Sequence, residues 1–84
     1  MNRVVVEVVF TLEALKSGKI TAASIAAGNR FQLAEGLTEF PREILDLADS
    51  LEVLDLSNNA LSELPHDLGR LKNLKILFLS NNQF

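Results

Sequence analysis

The sequence predicts an α/β solenoid. We expect a right-handed β/α superhelix with about three parallel strands on its concave face and a helical cap at its N-terminus. Two stretches, beginning at Leu51 and Leu74, follow one pattern at a spacing of 23 residues. Each stretch has apolar residues at places one, four, six and eleven and Asn at place nine. This period and pattern are typical of coils that stack their short strands side by side.

The predicted strands come from residues that alternate in the apolar pattern. Leu54 and Leu56 are two apart, so both side chains point to the same, inward side of a strand. The same pair of positions recurs in each unit: Phe31 and Leu33, Leu54 and Leu56, and Leu77 and Leu79. We therefore expect Phe31, Leu54 and Leu77 to be neighbours in one parallel ladder.

Asn59 and Asn82 follow the strands of the second and third units and are predicted to form a structural Asn ladder. An amide side chain both donates and accepts, so it can bond backbone groups of its own turn and of the neighbouring coil. Ligand binding by these residues is the alternative. In the first unit place nine is Gly36, which tolerates a positive φ, and Leu37 arrives one residue early. The backbone N–H and C=O groups of that turn must therefore find other hydrogen-bond partners.

The chain divides into two predicted parts. Residues 1–29 form an N-terminal strand and helical cap, and residues 30–84 form the repeats. The repeat units lie near 30–50, 51–73 and 74–84, the last being incomplete.

Residues 1–10 are rich in β-branched side chains, which favours a strand. A signal peptide with Arg3 as its basic end is the alternative, but the apolar run is short and Glu7 interrupts it. No apolar stretch is long enough to span a membrane, so no membrane partner is expected.

Residues 11–28 are expected to cover the N-terminal end of the solenoid, as atypical terminal units do. Thr11 can cap a short helix and Gly18 can end it in a left-handed conformation. Leu12 and Leu15 share one face of that helix. A second short helix or a compact loop follows.

The return segments, residues 41–50 and 65–73, each begin with proline. The first is long enough for about two helical turns. The second contains Gly69, which favours a 3₁₀ or irregular turn.

Residues 30–84 resemble bacterial and typical leucine-rich repeats, of the form Leu-x-x-Leu-x-Leu-x-x-Asn-x-Leu-x-x-Leu-Pro. The segments 37–44 and 54–57, together with Phe78, resemble most the N-terminal part of bacterial leucine-rich-repeat proteins that continue into a protein-kinase-like domain. A segment like residues 11–18 also lies near the start of those proteins, whereas residues 1–10 depart from them. No phosphate-binding or catalytic motif of a kinase is present.

The sequence is expected to be an N-terminal fragment of a longer protein or a truncated design. The third unit stops at place eleven, Phe84, before the Leu-x-x-Leu-Pro half. We expect self-association through the open C-terminal edge of the sheet. We also expect a cytoplasmic protein, although the absence of cysteine does not fix the compartment.

Charge and composition exclude several function classes. Residues 35–67 carry nine acidic residues against Arg42, a net charge of −8, which argues against nucleic acid as a partner. The absence of cysteine excludes a disulfide scaffold and thiol-ligated metal. No loop has the acidic spacing of a calcium site, so no metal or cofactor is expected. His66, the single histidine, should be solvated, and no enzyme is expected.

The remaining class is a binding module for a protein partner. Strand alternation directs one set of residues outward as the candidate partner-binding face: Arg30, Gln32, Val53, Asp55, Ser57, Ile76, Phe78 and Ser80. Phe78 is the candidate anchor, because exposed aromatic side chains are costly unless covered. Alternatively it packs on Ile76, on Val53 or on a later repeat. The alternative function is a structural N-terminal cap of a repeat array linked to a protein-kinase-like domain.

Overall fold

A computed structural model of the chain describes residues 11–20 and 29–84. The strand predicted at residues 1–10 and the second cap element, except Ile20, lie outside the described residues. The predictions for these segments therefore stay predictions.

Three short strands form one parallel sheet, in the order β1–β2–β3. β1 spans Arg30–Gln32, β2 spans Val53–Asp55 and β3 spans Ile76–Phe78. Phe31 is paired with Leu54, and Leu54 with Leu77. This confirms the predicted parallel ladder and its 23-residue register.

The inward side chains form one core shared by the strands and the return segments. Phe31, Leu54 and Leu56 are fully buried, as are the turn residues Leu51 and Leu61. The core comprises these buried residues: Leu15, Ile20, Phe31, Leu33, Leu37, Ile44, Leu45, Leu47, Leu51, Leu54, Leu56, Leu61 and Leu71. The aliphatic column thus runs from the N-terminal helix through the first two coils.

Helix α1 spans Leu12–Lys16 and packs on this core through Leu15, which is 4% exposed. Its cap is the predicted one: the Ala14 N–H donates to Thr11 Oγ1 at 3.0 Å. Gly18 follows the helix with φ of +79°. The Leu12 N–H donates to the Glu35 carboxylate at 2.6 Å, which joins the start of α1 to the first coil.

Both return segments contain 3₁₀ helices. The first, η1, spans Arg42–Leu47, and the second, η2, spans Leu68–Arg70. Six residues at three per turn give η1 the two turns expected, but in 3₁₀ and not α geometry. The 3₁₀ form rises about 2.0 Å per residue against about 1.5 Å for an α-helix, so it spans more of the return path with the same residues.

The third coil is less buried than the second. Leu74, Leu77 and Leu79 are only partly buried and pack against the edge of the core. In the part of the chain that the structure describes, β3 has no strand on its far side.

Candidate protein-interaction surface

The outer face of the sheet consists of the outward residues of the three strands and of the positions just after them. We call it the outer face and define it by these residues: Arg30, Gln32, Val53, Asp55, Ser57, Ile76, Phe78 and Ser80. Strand pleating creates it, because successive side chains point to opposite sides. In β1, Phe31 is fully buried while Arg30 and Gln32 on either side of it are exposed.

Strand pairing orders the outer face into rows. Arg30, Val53 and Ile76 form one row. Gln32, Asp55 and Phe78 form the next row. The sheet therefore brings the predicted site residues of all three strands together on one surface.

Two large apolar side chains dominate the β3 end of the outer face. Ile76 is 47% exposed and Phe78 is 42% exposed. They lie two residues apart on one strand, so they point to the same side. Exposed apolar groups on adjacent positions are a feature of interaction sites. Phe84, 59% exposed, is a third large exposed hydrophobic residue but is not part of a strand.

Arg30 reaches diagonally across the sheet from β1 towards β3. Its Nη2 atom lies 3.5 Å from Asp55 Oδ2. Its guanidinium carbon lies 6.0 Å from the centroid of the Phe78 ring, at the outer limit of a cation–π contact. The Arg30 side chain remains 53% exposed. The cation is thus held beside the apolar pair and still faces solvent.

Asp55 is a buried member of the outer face and bonds two other members, Arg30 and Ser57. The residue is 9% exposed, and its Oδ1 accepts the Ser57 N–H at 3.0 Å. Its Oδ2 accepts from Arg30. Both carboxylate oxygens therefore have protein donors, and this carboxylate supports the strand end and Arg30 instead of projecting into solvent.

The Asn residues after the strands connect neighbouring coils. Asn59 Nδ2 donates to the carbonyls of Leu33 and Leu56, at 2.8 and 2.9 Å. Its Oδ1 accepts the N–H groups of Glu35 and Leu37, at 3.0 and 3.1 Å. The first coil, which has Gly36 in place of Asn, thus has its turn satisfied by the amide of the second coil.

Gly36 itself adopts φ of +66°, the left-handed conformation that glycine tolerates. Asn82 repeats part of the Asn59 arrangement one coil later. Its Oδ1 accepts the Leu61 N–H at 3.0 Å, and its Nδ2 donates to the Leu56 carbonyl at 2.9 Å.

A row of polar residues at the start of the strands escaped the sequence analysis. We call Asn29, Glu52 and Lys75 the rim row. Their backbones are linked: the Asn29 carbonyl accepts the Glu52 N–H at 2.8 Å, and the Glu52 carbonyl accepts the Lys75 N–H at 2.8 Å. The Asn29 amide also donates to the Glu52 carboxylate. Because Glu52 and Lys75 are 23 residues apart, a search of every column of the repeat would have found them.

The ion pair in the rim row shifts the pKa values of two side chains, Glu52 and Lys75. Lys75 Nζ lies 2.8 Å from Glu52 Oε1. The hydrogen bond from Lys75, with a smaller effect of Asn29, lowers the pKa of Glu52. The same pair raises the pKa of Lys75. Both side chains are partly solvated, so the pair orders the edge of the sheet more than it stabilises the fold.

Two further turn residues were also missed. Asn58 and Asn81 adopt φ of +63° and +57°, a region that Asn visits more readily than most residues. Asn81 Nδ2 donates to Asn58 Oδ1 at 2.7 Å. The sequence signal was the Asn-Asn dipeptide that follows β2 and β3. The sequence analysis gave a role to its second residue, Asn59 or Asn82, and none to its first.

The return side carries charged side chains and the single histidine. His66 is exposed, next to Asp67, which pairs with Arg42 at 2.6 Å. The hydrogen bond from Arg42 lowers the pKa of Asp67. Among residues 11–20 and 29–84, no group of three or more His, Cys, Asp or Glu side chains could hold a metal ion. None of the described helices is long and apolar enough to cross a membrane.

Comparison with known proteins shows what the second and third units resemble. Residues 49–84 match the family model described as "Leucine Rich repeats (2 copies)". The chain is also 43% identical over 42 residues to "Plant intracellular Ras-group-related LRR protein 7" of Oryza sativa subsp. japonica. That match covers 50% of this chain and 16% of the relative. No solved structure gives a significant match.

The family-model match agrees with the repeat pattern predicted for the second and third units. Leucine-rich repeats are typically non-catalytic modules, and domains built from them generally mediate protein–protein interactions.

Proposed function

We propose, from the similarity of residues 49–84 to leucine-rich repeats, that this chain is a non-catalytic module that binds a protein partner through its outer face. The single observation that carries the proposal is the exposure of Ile76 and Phe78 side by side on β3, at 47% and 42%. By contrast Leu54, which pairs with the residue between them on β3, is fully buried in the same sheet.

A short strand that presents apolar groups outward suits a docking role. The backbone of β3 is fixed by its pairing with β2, so Ile76 and Phe78 lose little conformational freedom when a partner covers them. Aromatic anchors of this kind contribute much of the binding energy at interfaces. The polar positions of the outer face, Gln32 and Ser80, would lie at the rim of such a contact.

The test separates binding from folding at two adjacent residues. Phe78→Ala should weaken capture of a partner at least tenfold and change the urea midpoint little, because the side chain is outside the core. Leu77→Ala, the matched variant at the next position, should lower the midpoint. A partner can be identified by cross-linking it to the chain in cells. Its binding is then measured by capture on the purified chain. If Phe78→Ala abolished folding, the residue would belong to the core and the proposal would fail.

A structural N-terminal cap of a repeat array linked to a protein-kinase-like domain is the second candidate function. It is favoured by α1, which buries Leu15 against the first coil and bonds Glu35 through the Leu12 N–H. An element that closes one end of the core is what a terminal unit provides. Under this function, removing residues 1–20 would destabilise the repeats, whereas partner capture would be absent with or without Phe78.

We further propose that the chain is the N-terminal fragment of a longer, cytoplasmic, bacterial protein. The chain spans only 16% of the length of the relative that it matches, and Leu74, Leu77 and Leu79 are left half-buried. In isolation this side of β3 would support self-association. A concentration-dependent sedimentation coefficient would support self-association, and a stable monomer at high concentration would contradict it.

A further inference from the structure

The two charged groups of the outer face differ in what they can still bind. Both carboxylate oxygens of Asp55 accept hydrogen bonds from Ser57 and Arg30, and the residue is 9% exposed. Arg30 has five N–H donors in a planar fork. Among the described residues, its hydrogen bond runs from Nη2 to Asp55 at 3.5 Å, and its side chain is 53% exposed. The available charge on the outer face is therefore positive.

The apolar pair lies within reach of that charge. The Arg30 guanidinium carbon is 6.0 Å from the Phe78 ring centroid, and Ile76 shares a row with Arg30. A partner that covered Phe78 with an apolar side chain would bring its next outward residue about 6–7 Å away, if its chain were extended. That residue would meet the guanidinium. A basic or apolar residue there would leave the Arg30 donors that Asp55 does not bind desolvated and unpaired, which is costly.

From this geometry we infer the chemistry of the partner: a protein segment that carries an Asp or Glu carboxylate two residues from a bulky apolar side chain, the carboxylate bonding Arg30 and the apolar group packing on Ile76 and Phe78. The inference rests on the proposed function and specifies its ligand. A fork of two parallel hydrogen bonds between guanidinium and carboxylate would fix the direction of the segment. Arg30 is the one basic residue among those that define the outer face, so it would select the acidic group of this partner.

The experiment is a selection from a phage-displayed random peptide library on the immobilised 84-residue chain, with counter-selection on Phe78→Ala. We expect enrichment of peptides in which an acidic residue lies two positions from Leu, Ile, Phe or Trp. A parallel selection on Arg30→Glu should replace the acidic residue with Lys or Arg. The binding of a selected synthetic peptide is then measured by fluorescence polarisation.

Matched variants decide which contacts hold the peptide. Arg30→Gln should weaken binding by about 10- to 100-fold, the range of a charge-assisted hydrogen bond. Arg70→Gln removes the same charge from η2, outside the outer face, and should change affinity less than about twofold. Circular dichroism of each variant confirms that it is folded.

Four outcomes would overturn the inference. Enriched peptides that depend on Phe78 but lack the acidic residue would overturn the ligand chemistry and leave the proposed function standing. Enrichment of basic peptides by the unmodified chain would do the same. A dimer of the chain that Phe78→Ala dissociates would place a second copy on the outer face. Absence of any peptide that depends on Phe78 would reject the segment as ligand, while capture of a folded partner would still test the proposed function separately.

Discussion

The second and third coils carry the same sequence pattern and differ in their burial. Leu54 and Leu56 of the second coil are fully buried, whereas Leu77 and Leu79 at the same places of the third coil are only partly buried. The second coil has a coil on each side, while the third has one neighbour in the described residues. Identical side chains thus contribute differently because burial in a solenoid is supplied by neighbours.

The comparison extends to the polar bonds between coils. Asn59 accepts two N–H groups of the first coil, from Glu35 and Leu37. Asn82 accepts one from the second coil, from Leu61. The junction between the first and second coils is therefore better buried than the junction between the second and third coils. Its Asn residue also bonds more backbone N–H groups of the preceding coil. Stability should decrease from the first junction to the second.

The largest expected effect is at the paired leucines. Leu54→Ala should lower the free energy of unfolding by about 3–4 kcal/mol, because it opens a cavity in a fully buried site. Leu77→Ala should cost about 1–2 kcal/mol, because Leu77 is only partly buried and less apolar area is lost. Urea unfolding followed by circular dichroism measures both. Equal losses would contradict the claim that the two coils differ.

The two ladder asparagines give the next largest difference. Asn59→Ala should cost about 2–3 kcal/mol and Asn82→Ala about 1–2 kcal/mol, since the first leaves more backbone groups without partners. Asn73→Ala is the control: its exposed amide donates one bond to the Asp49 carbonyl. That variant should stay within about 0.5 kcal/mol of the unmodified chain. An Asn82 variant less stable than the Asn59 variant would reverse the order of the junctions.

A glycine pair tests the shortened turn of the first coil. Gly36 has φ of +66° and Gly69 does not have a positive φ, while a Cβ at either would meet nothing within 4 Å. Gly36→Ala should therefore cost about 1 kcal/mol from backbone strain alone. Gly69→Ala should be neutral or stabilising by about 0.5 kcal/mol. Thermal unfolding separates them, and a harmless Gly36→Ala would show that the turn relaxes.

The smallest effect is the pH dependence of the rim row. In the folded chain the pKa of Glu52 lies below its ordinary value, chiefly because Lys75 donates a hydrogen bond to its carboxylate. Its stabilising contribution is present above the pKa of the unfolded state and is lost as pH falls through the lower pKa of the folded state. The difference in urea midpoint between the chain and Glu52→Gln should shrink on acidification. A difference independent of pH would mean that the charge on Glu52 is not involved.

Much of the repeat architecture could be predicted because one period controls it. The spacing of 23 residues determined which strands pair and in which register, and Phe31, Leu54 and Leu77 are aligned as expected. The cap at Thr11 and the positive φ of Gly36 followed from the chemistry of single residues. These features are local or periodic, so one sequence contains them.

Other features depend on where side chains meet and were not predicted. Asp55 was assigned outward by alternation, yet the diagonal reach of Arg30 and the Ser57 N–H cover its carboxylate. The length of the first return segment predicted two helical turns but did not distinguish 3₁₀ from α geometry. The rim row depends on pairing between adjacent coils, although its 23-residue spacing was visible. Burial of the third coil depends on a neighbour and not on its own pattern.

Amide hydrogen exchange measured by NMR tests the central claim, that neighbours and not sequence set the stability of each coil. The Leu33 N–H donates to the Asp55 backbone carbonyl across the first junction at 3.1 Å, and the Leu56 N–H donates to the Phe78 backbone carbonyl across the second at 2.9 Å. The account predicts slower exchange for Leu33 than for Leu56, with both slower than an unstructured peptide. Faster exchange at Leu33, or no protection at Leu56, would contradict it.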